Sequence, residues 1–479
     1  MVLSAINNFA LGKENQMTST IKLISPVDGS VVAERAFATS QQISAALSAA
    51  VIAQAKWKTY TIDERAVYCL AMVDAMVTMK DEIVTELAWQ MGRPIRYGAG
   101  EVRGFEDRAR HMISIAASAL ADIEITEKAS FKRYIRREPL GTIFVVAPWN
   151  YPYLTAVNSI IPALMAGNAV ILKHASQTLL VGERFAMACK TAKLPEGLFC
   201  NIVLDHDQTA AVIGSGQVNQ VNFTGSVAGG KAMEAAAVGH FLGMGLELGG
   251  KDPAYVRADA DIAHAVENLV DGSFFNSGQS CCGIERIYVD KTIYQEFVER
   301  FVTLTKTYVL GSPLDEATTL GPVIKPSAAE FVRGQIKQAI EMGANALIDA
   351  SLFPANKEGT AYLAPQVLVD VNHQMSVMRD ESFGPVVGIM PVDNDQQAVR
   401  LMNDSEFGLT ASIWTKDLAS AELIGDQIQT GTVFMNRCDA LDPALVWTGV
   451  KNTGRGATLA SVGYEHLTRP KSFHLRHEI

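Results

Sequence analysis

The chain has 479 residues, of which 48% are hydrophobic and 19% charged, a composition that excludes a disordered or low-complexity protein and asks for two or three folded units. A net charge of −10 argues against a nucleic-acid partner, and no stretch approaches the ~18 apolar residues of a membrane span. The six cysteines form no CxxC pair and no Cys/His spacing suited to zinc, so free thiols, no metal site and a cytoplasmic location are expected.

The first residues, MVLSAINNFALGKENQM, lack the basic start and apolar core of a signal peptide, and Met17 is a possible alternative start. From about Ser40 to Leu120 apolar positions recur at helical spacing, clearest in DERAVYCLAMVDAMVTMKDEIVTELAWQMG (63–92). SFKRYIRREP (130–139) alternates and is charged, and reads as an exposed or edge strand; its cluster Lys132, Arg133, Arg136 and Arg137 reads as a solvated strand surface. After Gly141 the texture changes. The short β-branched runs TIFVV, AVILK and VNQVNFT alternate with the helical stretches NSIIPALMAG, LLVGERFAMACKTAKLP and GGKAMEAAAVG. This alternation predicts an α/β architecture with a parallel sheet, its ligand-binding loops at the carboxyl ends of the strands. Asn150, Lys173 to Ser176 and Gly225 to Gly230 fall there. The second half repeats the pattern with ERIYV, PVVGIMPV and ASIWT as strands, and KSFHLRHEI at the C-terminus alternates as if to pair with another strand.

Four segments carry candidate chemistry. FFNSGQSCC (274–282) puts Cys281 and Cys282 in a polar, turn-like stretch read as a loop before a helix, where a thiol gains access and a lowered pKa. The alternative is a pair of small core residues. LELGGKDP (246–253) sets Glu247 among leucines, where an apolar setting would raise its pKa toward that of a general base; a paired structural carboxylate is the alternative. In APWNYP (147–152) two prolines frame Trp149 and Asn150, whose amide suits an oxyanion, although a plain turn is the simpler reading. TGSVAGGK (224–231) is nearly a nucleotide-triphosphate loop. That motif requires Ser or Thr after the lysine, and position 232 is Ala, whereas a pyrophosphate at a helix N-terminus remains compatible. GSGQVN (214–219) is only a fragment of the dinucleotide fingerprint.

In order, these segments resemble the aldehyde dehydrogenase superfamily, with a likeness to its succinate-semialdehyde branch. The resemblance is carried by SPVDGSVVAE, PWNYP, PALMAGNAVILKHAS, FTGS, LELGGKDP, GQSC, ESFGPV, NDSEFGLTASIWTKD and TGVKNTGRG. It implies a Rossmann-type cofactor domain (1–119 and 140–247), an α/β catalytic domain (248–445) and a small β arm with the C-terminal segment (120–139 and 446–479) that joins a homodimer or homotetramer. It further implies Cys281 as nucleophile, Asn150 as oxyanion donor and Glu247 as the base that activates water. NAD or NADP would be held by Trp149, Lys173, Ser176, Gly225, Ser226, Glu381 and Phe383. Strictly NAD-using members often carry Glu where this chain has Ser176, so NADP should be tolerated.

The segment 436–464 departs from the family's commoner ending, and the two arginines of the succinate-semialdehyde branch correspond to Asn158 and Phe275. A neutral or apolar aldehyde is therefore expected, with Arg437 or Arg455 as possible substitutes for a carboxylate partner. A CoA-dependent acylating relative would lack Glu247, and a non-enzymatic structural protein on the same fold would be expected to lose Cys281 or Glu247.

Overall fold

Five short strands, the central two almost wholly hydrophobic or β-branched, form most of the sheet that positions the site in the computed structural model, which describes residues 19–478. The N-terminal reading, including Met17 and the first part of the expected cofactor domain, lies outside the described residues. The strands lie in the order Phe199–Asn201, Ala169–Lys173, Thr142–Val146, Gln220–Thr224 and Gly243–Glu247, all parallel. In chain order this is 3-2-1-4-5, so the winding reverses between Thr142–Val146 and Gln220–Thr224, the crevice where doubly wound sheets take ligands. Every residue of Thr142–Val146 and Ala169–Lys173 is buried, as expected of central parallel strands covered on both faces.

Helices cover this sheet. Ser40–Trp57 and Ile62–Thr78 each start on a threonine capping box, Thr39 with Gln42 and Thr61 with Glu64. Lys80–Met91 and Ile95–Ala119 complete the helical first quarter expected from periodicity. Trp57 is fully buried and donates its indole N–H to the Leu164 carbonyl at 2.8 Å, tying the first helix to Pro152–Met165.

A second sheet runs Asn345–Ala346, Gln366–Val369, Val386–Val392, Ile284–Asp290, Asp252–Val256, Thr410–Trp414 and Thr432–Met435, parallel except at its first pair. The third sheet is antiparallel: Thr468–Arg476 pairs with Phe131–Pro139 over nine positions, and Ile123–Glu124 joins its other side. The fold is thus α/β, a Rossmann-type parallel sheet beside a second, mostly parallel sheet, with a small antiparallel extension.

Two local expectations need correction. Phe131–Pro139 is the middle strand of its sheet rather than an edge, because the C-terminal strand covers the side that its charges suggested was open. The cysteine segment leads into the strand Ile284–Asp290 and not into a helix, so no helix N-terminus faces Cys281 from its own chain direction. After residue 446 the chain is shared: Gly454–Arg455 pairs with Glu247 and Leu246 in the first sheet before Thr468–Arg476 enters the third.

Candidate active site

The two parallel sheets meet end to end at one cleft. The carboxyl ends of the first sheet supply Asn150, Lys173, Ser226 and Glu247. The amino ends of the second supply Gly249 and Gly250 before Asp252–Val256, Cys281 before Ile284–Asp290, and Glu381 with Phe383 before Val386–Val392.

The cysteine loop is held in an unusual backbone. Asn276, Ser277 and Gly278 have φ of 53°, 57° and 71°, three successive left-handed residues. For the two non-glycines this costs roughly 1–3 kcal/mol each, which the surroundings must offset. Ser277 Oγ donates to the Gly321 carbonyl at 2.8 Å, and Gln279 Oε1 accepts from the Ile324 N–H at 2.7 Å. Asn150 Nδ2 donates to the Gln279 carbonyl at 3.2 Å, so the amide singled out in the sequence stands against the cysteine loop. Gly250 lets the loop approach, since a Cβ there would lie 2.2 Å from the Cys281 carbonyl.

Two residues that the sequence reading missed brace this corner. The helix Pro152–Met165 has no capping side chain of its own. Glu101 Oε1 instead accepts from the N–H groups of Tyr153 at 2.9 Å and Leu154 at 3.1 Å. Its other oxygen pairs with Arg93, both side chains being buried, and Arg93 Nη2 donates to the Asn150 carbonyl at 2.6 Å. Glu101 falls in helical register with the buried Phe105 and Met112, and a charge on an apolar face was the available signal.

Glu247 and Cys281 line one cavity of about 300 Å³. Thr458 Oγ1 donates to Glu247 Oε1 at 2.6 Å and Thr224 Oγ1 to Oε2 at 3.1 Å. Burial raises the Glu247 pKa above the ordinary carboxylate value, and the two threonine hydroxyls hold it back. Cys282 is buried behind Cys281 and donates to Asp439 Oδ1 at 2.8 Å, which also accepts from Ser280 Oγ at 3.1 Å. A hydrogen bond with Cys281, together with burial, pushes the Cys282 thiol well up, so Cys282 is held as the thiol. Burial raises Asp439 to about 6.

The expectation of a neutral aldehyde rested on Asn158 and Phe275 standing where arginines would be. Both do line the cavity, but Arg108 lines it too, from the helix Ile95–Ala119. Its Nη1 donates to the Leu154 carbonyl at 2.7 Å and to Asn158 Oδ1 at 3.4 Å. Burial lowers its pKa, but a guanidinium stays protonated at working pH. Arg437 and Arg455, the substitutes suggested by the sequence, do not line this cavity: Arg437 stacks over Phe434 at 5.9 Å and Arg455 pairs with Glu234 at 2.9 Å.

The remaining predicted residues lie at a second cavity or at the carboxyl ends of strands in the first sheet. Trp149 and Phe383 meet edge to face at 5.5 Å and share a second cavity with Glu381 and Lys325. Glu381 Oε1 accepts from the Gly250 N–H at 3.0 Å; burial and the nearby Glu285 raise its pKa to about 7. Lys173 is buried at its strand end, and burial lowers its pKa, while Ser176 is exposed at the start of the turn that follows. Ser226 caps the helix Val227–Ala237, accepting from the Gly229 N–H at 3.1 Å, and Gly225 packs beneath it where a Cβ would meet the Phe223 ring. Gly229 and Gly230 therefore belong to a helix and not to a loop that could wrap a triphosphate. An ammonium, a helix N-terminus and a carboxylate beside two aromatic rings fit a dinucleotide lying across the switch point of the sheet.

The sequence model of the Aldehyde dehydrogenase family matches residues 13–473. The 3,6-anhydro-alpha-L-galactose dehydrogenase of Streptomyces coelicolor is 32% identical over 96% of this chain and 94% of its own. The crystal structure of an NAD-dependent aldehyde dehydrogenase from Sinorhizobium meliloti superposes with a TM-score of 0.92, at 29% identity over 96% of this chain and 92% of that one. The NADP-dependent glyceraldehyde-3-phosphate dehydrogenase of Bacillus halodurans, complexed with NADP, gives 0.90 at 30% identity over 97% of both chains. The fold and cleft define an oxidoreductase of the cysteine-bearing, dinucleotide-using kind. The chain belongs to the aldehyde dehydrogenase family.

Proposed function

We propose that the cleft oxidises an aldehyde to its carboxylic acid by covalent catalysis on Cys281, with NAD or NADP as cofactor. The observation that carries this reading is that Cys281 and Glu247, delivered by different sheets, face one cavity while the Asn150 amide stands against the cysteine loop. The Cys281 thiolate attacks the aldehyde carbon, forming a C–S bond as the carbonyl electrons move to oxygen. Asn150 Nδ2 and the Cys281 backbone N–H take the oxyanion. Its collapse drives two electrons and a proton off the carbon as hydride and leaves a thioester on Cys281. When bound, the nicotinamide of NAD or NADP supplies the acceptor for that hydride. Glu247 then removes a proton from water, the hydroxide attacks the thioester, and the acid departs as the Cys281 thiolate re-forms.

Cofactor binding falls in this reading to Lys173 and Ser176 at the adenosine ribose, Gly225 and Ser226 at the pyrophosphate, Glu381 at the nicotinamide ribose, and Trp149 with Phe383 at the ring. No carboxylate stands at Ser176 to repel a 2′-phosphate, which favours acceptance of NADP.

The division into cofactor domain, catalytic domain and arm, the assembly into a homodimer or homotetramer, and a cytoplasmic location belong to the same reading. It draws support from the free thiols and from the lack, among the described residues, of any helix long and apolar enough to cross a membrane. The test is formation of reduced nicotinamide with propanal, hexanal, benzaldehyde and succinate semialdehyde, each with NAD and NADP. Turnover that Cys281→Ala abolishes is expected; undiminished turnover in that variant would sink the mechanism.

A further inference from the structure

We infer that Arg108 binds an anionic group at the far end of the substrate, so that the preferred aldehyde is a short chain ending in a carboxylate; this rests on the oxidation proposed above. A guanidinium carries five donors in a rigid fork matched to a carboxylate. In Arg108 only Nη1 is engaged by the protein, with Leu154 and Asn158; among the described residues Nε and Nη2 have no protein acceptor, and no carboxylate lies within 4.0 Å of the side chain. Contrast Arg93 on the same wall, whose charge is taken by Glu101.

Arg108 is half-buried, and its free Nε and Nη2 are accessible from the cavity, where a ligand carboxylate can take them as a charged, forked pair. The Leu154 and Asn158 bonds fix the fork in place and so reduce the ordering needed when a ligand binds. The same cavity holds Cys281, so one molecule can reach both groups, and about 300 Å³ admits a short chain rather than a bulky one.

Four acids line the cavity; Glu101 is paired with Arg93 and Glu247 is the proposed base, which leaves Asp271 and Asp439. Asp439 already accepts from Cys282 and Ser280, and burial raises the pKa of both, which weakens their case as partners for a cationic substrate. The position carries a second consequence. Asn158, which stands where the succinate-semialdehyde branch carries an arginine, instead helps to hold one that comes from a different helix.

The experiment compares 4-oxobutanoate, butanal and 4-aminobutanal on wild type, Arg108→Gln and Arg108→Lys. Wild type should favour 4-oxobutanoate. In Arg108→Gln the kcat/KM ratio of 4-oxobutanoate to butanal should fall by about 30-fold or more, mainly through KM, with Arg108→Lys in between. Equal losses on both aldehydes, or a loss confined to kcat, would mean that Arg108 acts on Cys281 or Glu247 and would overturn the inference. So would a wild-type preference for butanal or 4-aminobutanal.

A second arm needs no turnover: calorimetric titration of wild type and Arg108→Gln with succinate and with butyrate. Succinate binding wild type more tightly than butyrate, and losing that advantage in Arg108→Gln, supports the inference even if no aldehyde is oxidised and the proposed reaction fails. Equal binding of the two acids to wild type overturns it, and this comparison decides the matter even if the variant does not fold.

Discussion

Glu247 shows how much one carboxylate can be asked to do when its strand ends in a cleft. Its oxygens are held by Thr224 and Thr458, and burial raises its pKa. A base must be deprotonated to act, so release of the acid should fail as pH drops through that raised value, at a higher pH than an ordinary carboxylate would allow. Attack by Cys281 and the first hydride loss do not need this base. Glu247→Gln should therefore give one rapid turnover per site and then stall, with steady-state rate down by about 10²–10⁴. Rapid-mixing measurement of the burst checks this, and loss of the burst along with the steady state would count against the assigned role. Glu381 makes a related prediction on the cofactor side. Its pKa of about 7 means that it gains a proton as pH falls through neutrality, and a protonated carboxyl accepts ribose hydroxyls less well. Cofactor affinity, read by calorimetry, should weaken below about 7 in wild type and lose most of that dependence in Glu381→Gln.

At the scale of elements, the site depends on contacts between segments far apart in the chain. Helix Pro152–Met165 is capped by Glu101 from another helix, and Arg93 joins that carboxylate to the Asn150 carbonyl. Arg93→Met leaves a buried carboxylate unpaired and should destabilise the fold by about 3–5 kcal/mol, measured by denaturant unfolding, while kcat falls because Asn150 loses its support. A stable variant with normal kcat would show that the pair is not the brace. The same contrast explains what the sequence made legible. Strands such as Thr142–Val146 and Ala169–Lys173 announce themselves by β-branched runs, and Cys281, Glu247 and Asn150 by polar residues in improbable settings. Glu101 and Arg108 were hidden because they sit in a helix whose other charges are mostly ordinary surface residues, and Arg93 because it lies in the short connection before that helix; only packing reveals which charge turns inward. The helix expected after Cys282 is absent: three consecutive left-handed residues precede the cysteines and the chain runs on into Ile284–Asp290, a conformation advertised by Gly278 and, more weakly, by Asn276.

For the whole molecule, the question is what covers the apolar surface that the fold leaves outside. Phe241 and Val238 stand fully or largely exposed in the turn after helix Val227–Ala237, and Ile123, Ile125 and Leu475 are exposed on or beside the three-stranded sheet. A chain that stays monomeric has little reason to hold such residues in water, whereas a homo-oligomer would bury them. Thr468–Arg476 supplies nine of the paired positions that hold Phe131–Pro139, so the arm proposed to join subunits cannot persist without it. Light scattering of the full chain should give a mass near two or four times 51.7 kDa. A chain ending at Leu467 should lose that state, and Phe241→Glu should weaken it by placing charge in a dry contact. In a monomer Phe241→Glu would change stability by no more than about 0.5 kcal/mol, because an exposed side chain away from structural features contributes little. A concentration-dependent melting temperature in wild type that becomes independent of concentration in Phe241→Glu would tie the exposed ring to assembly. A full-length chain that scatters as a single 51.7 kDa particle would remove the oligomer and leave the exposed apolar residues unexplained.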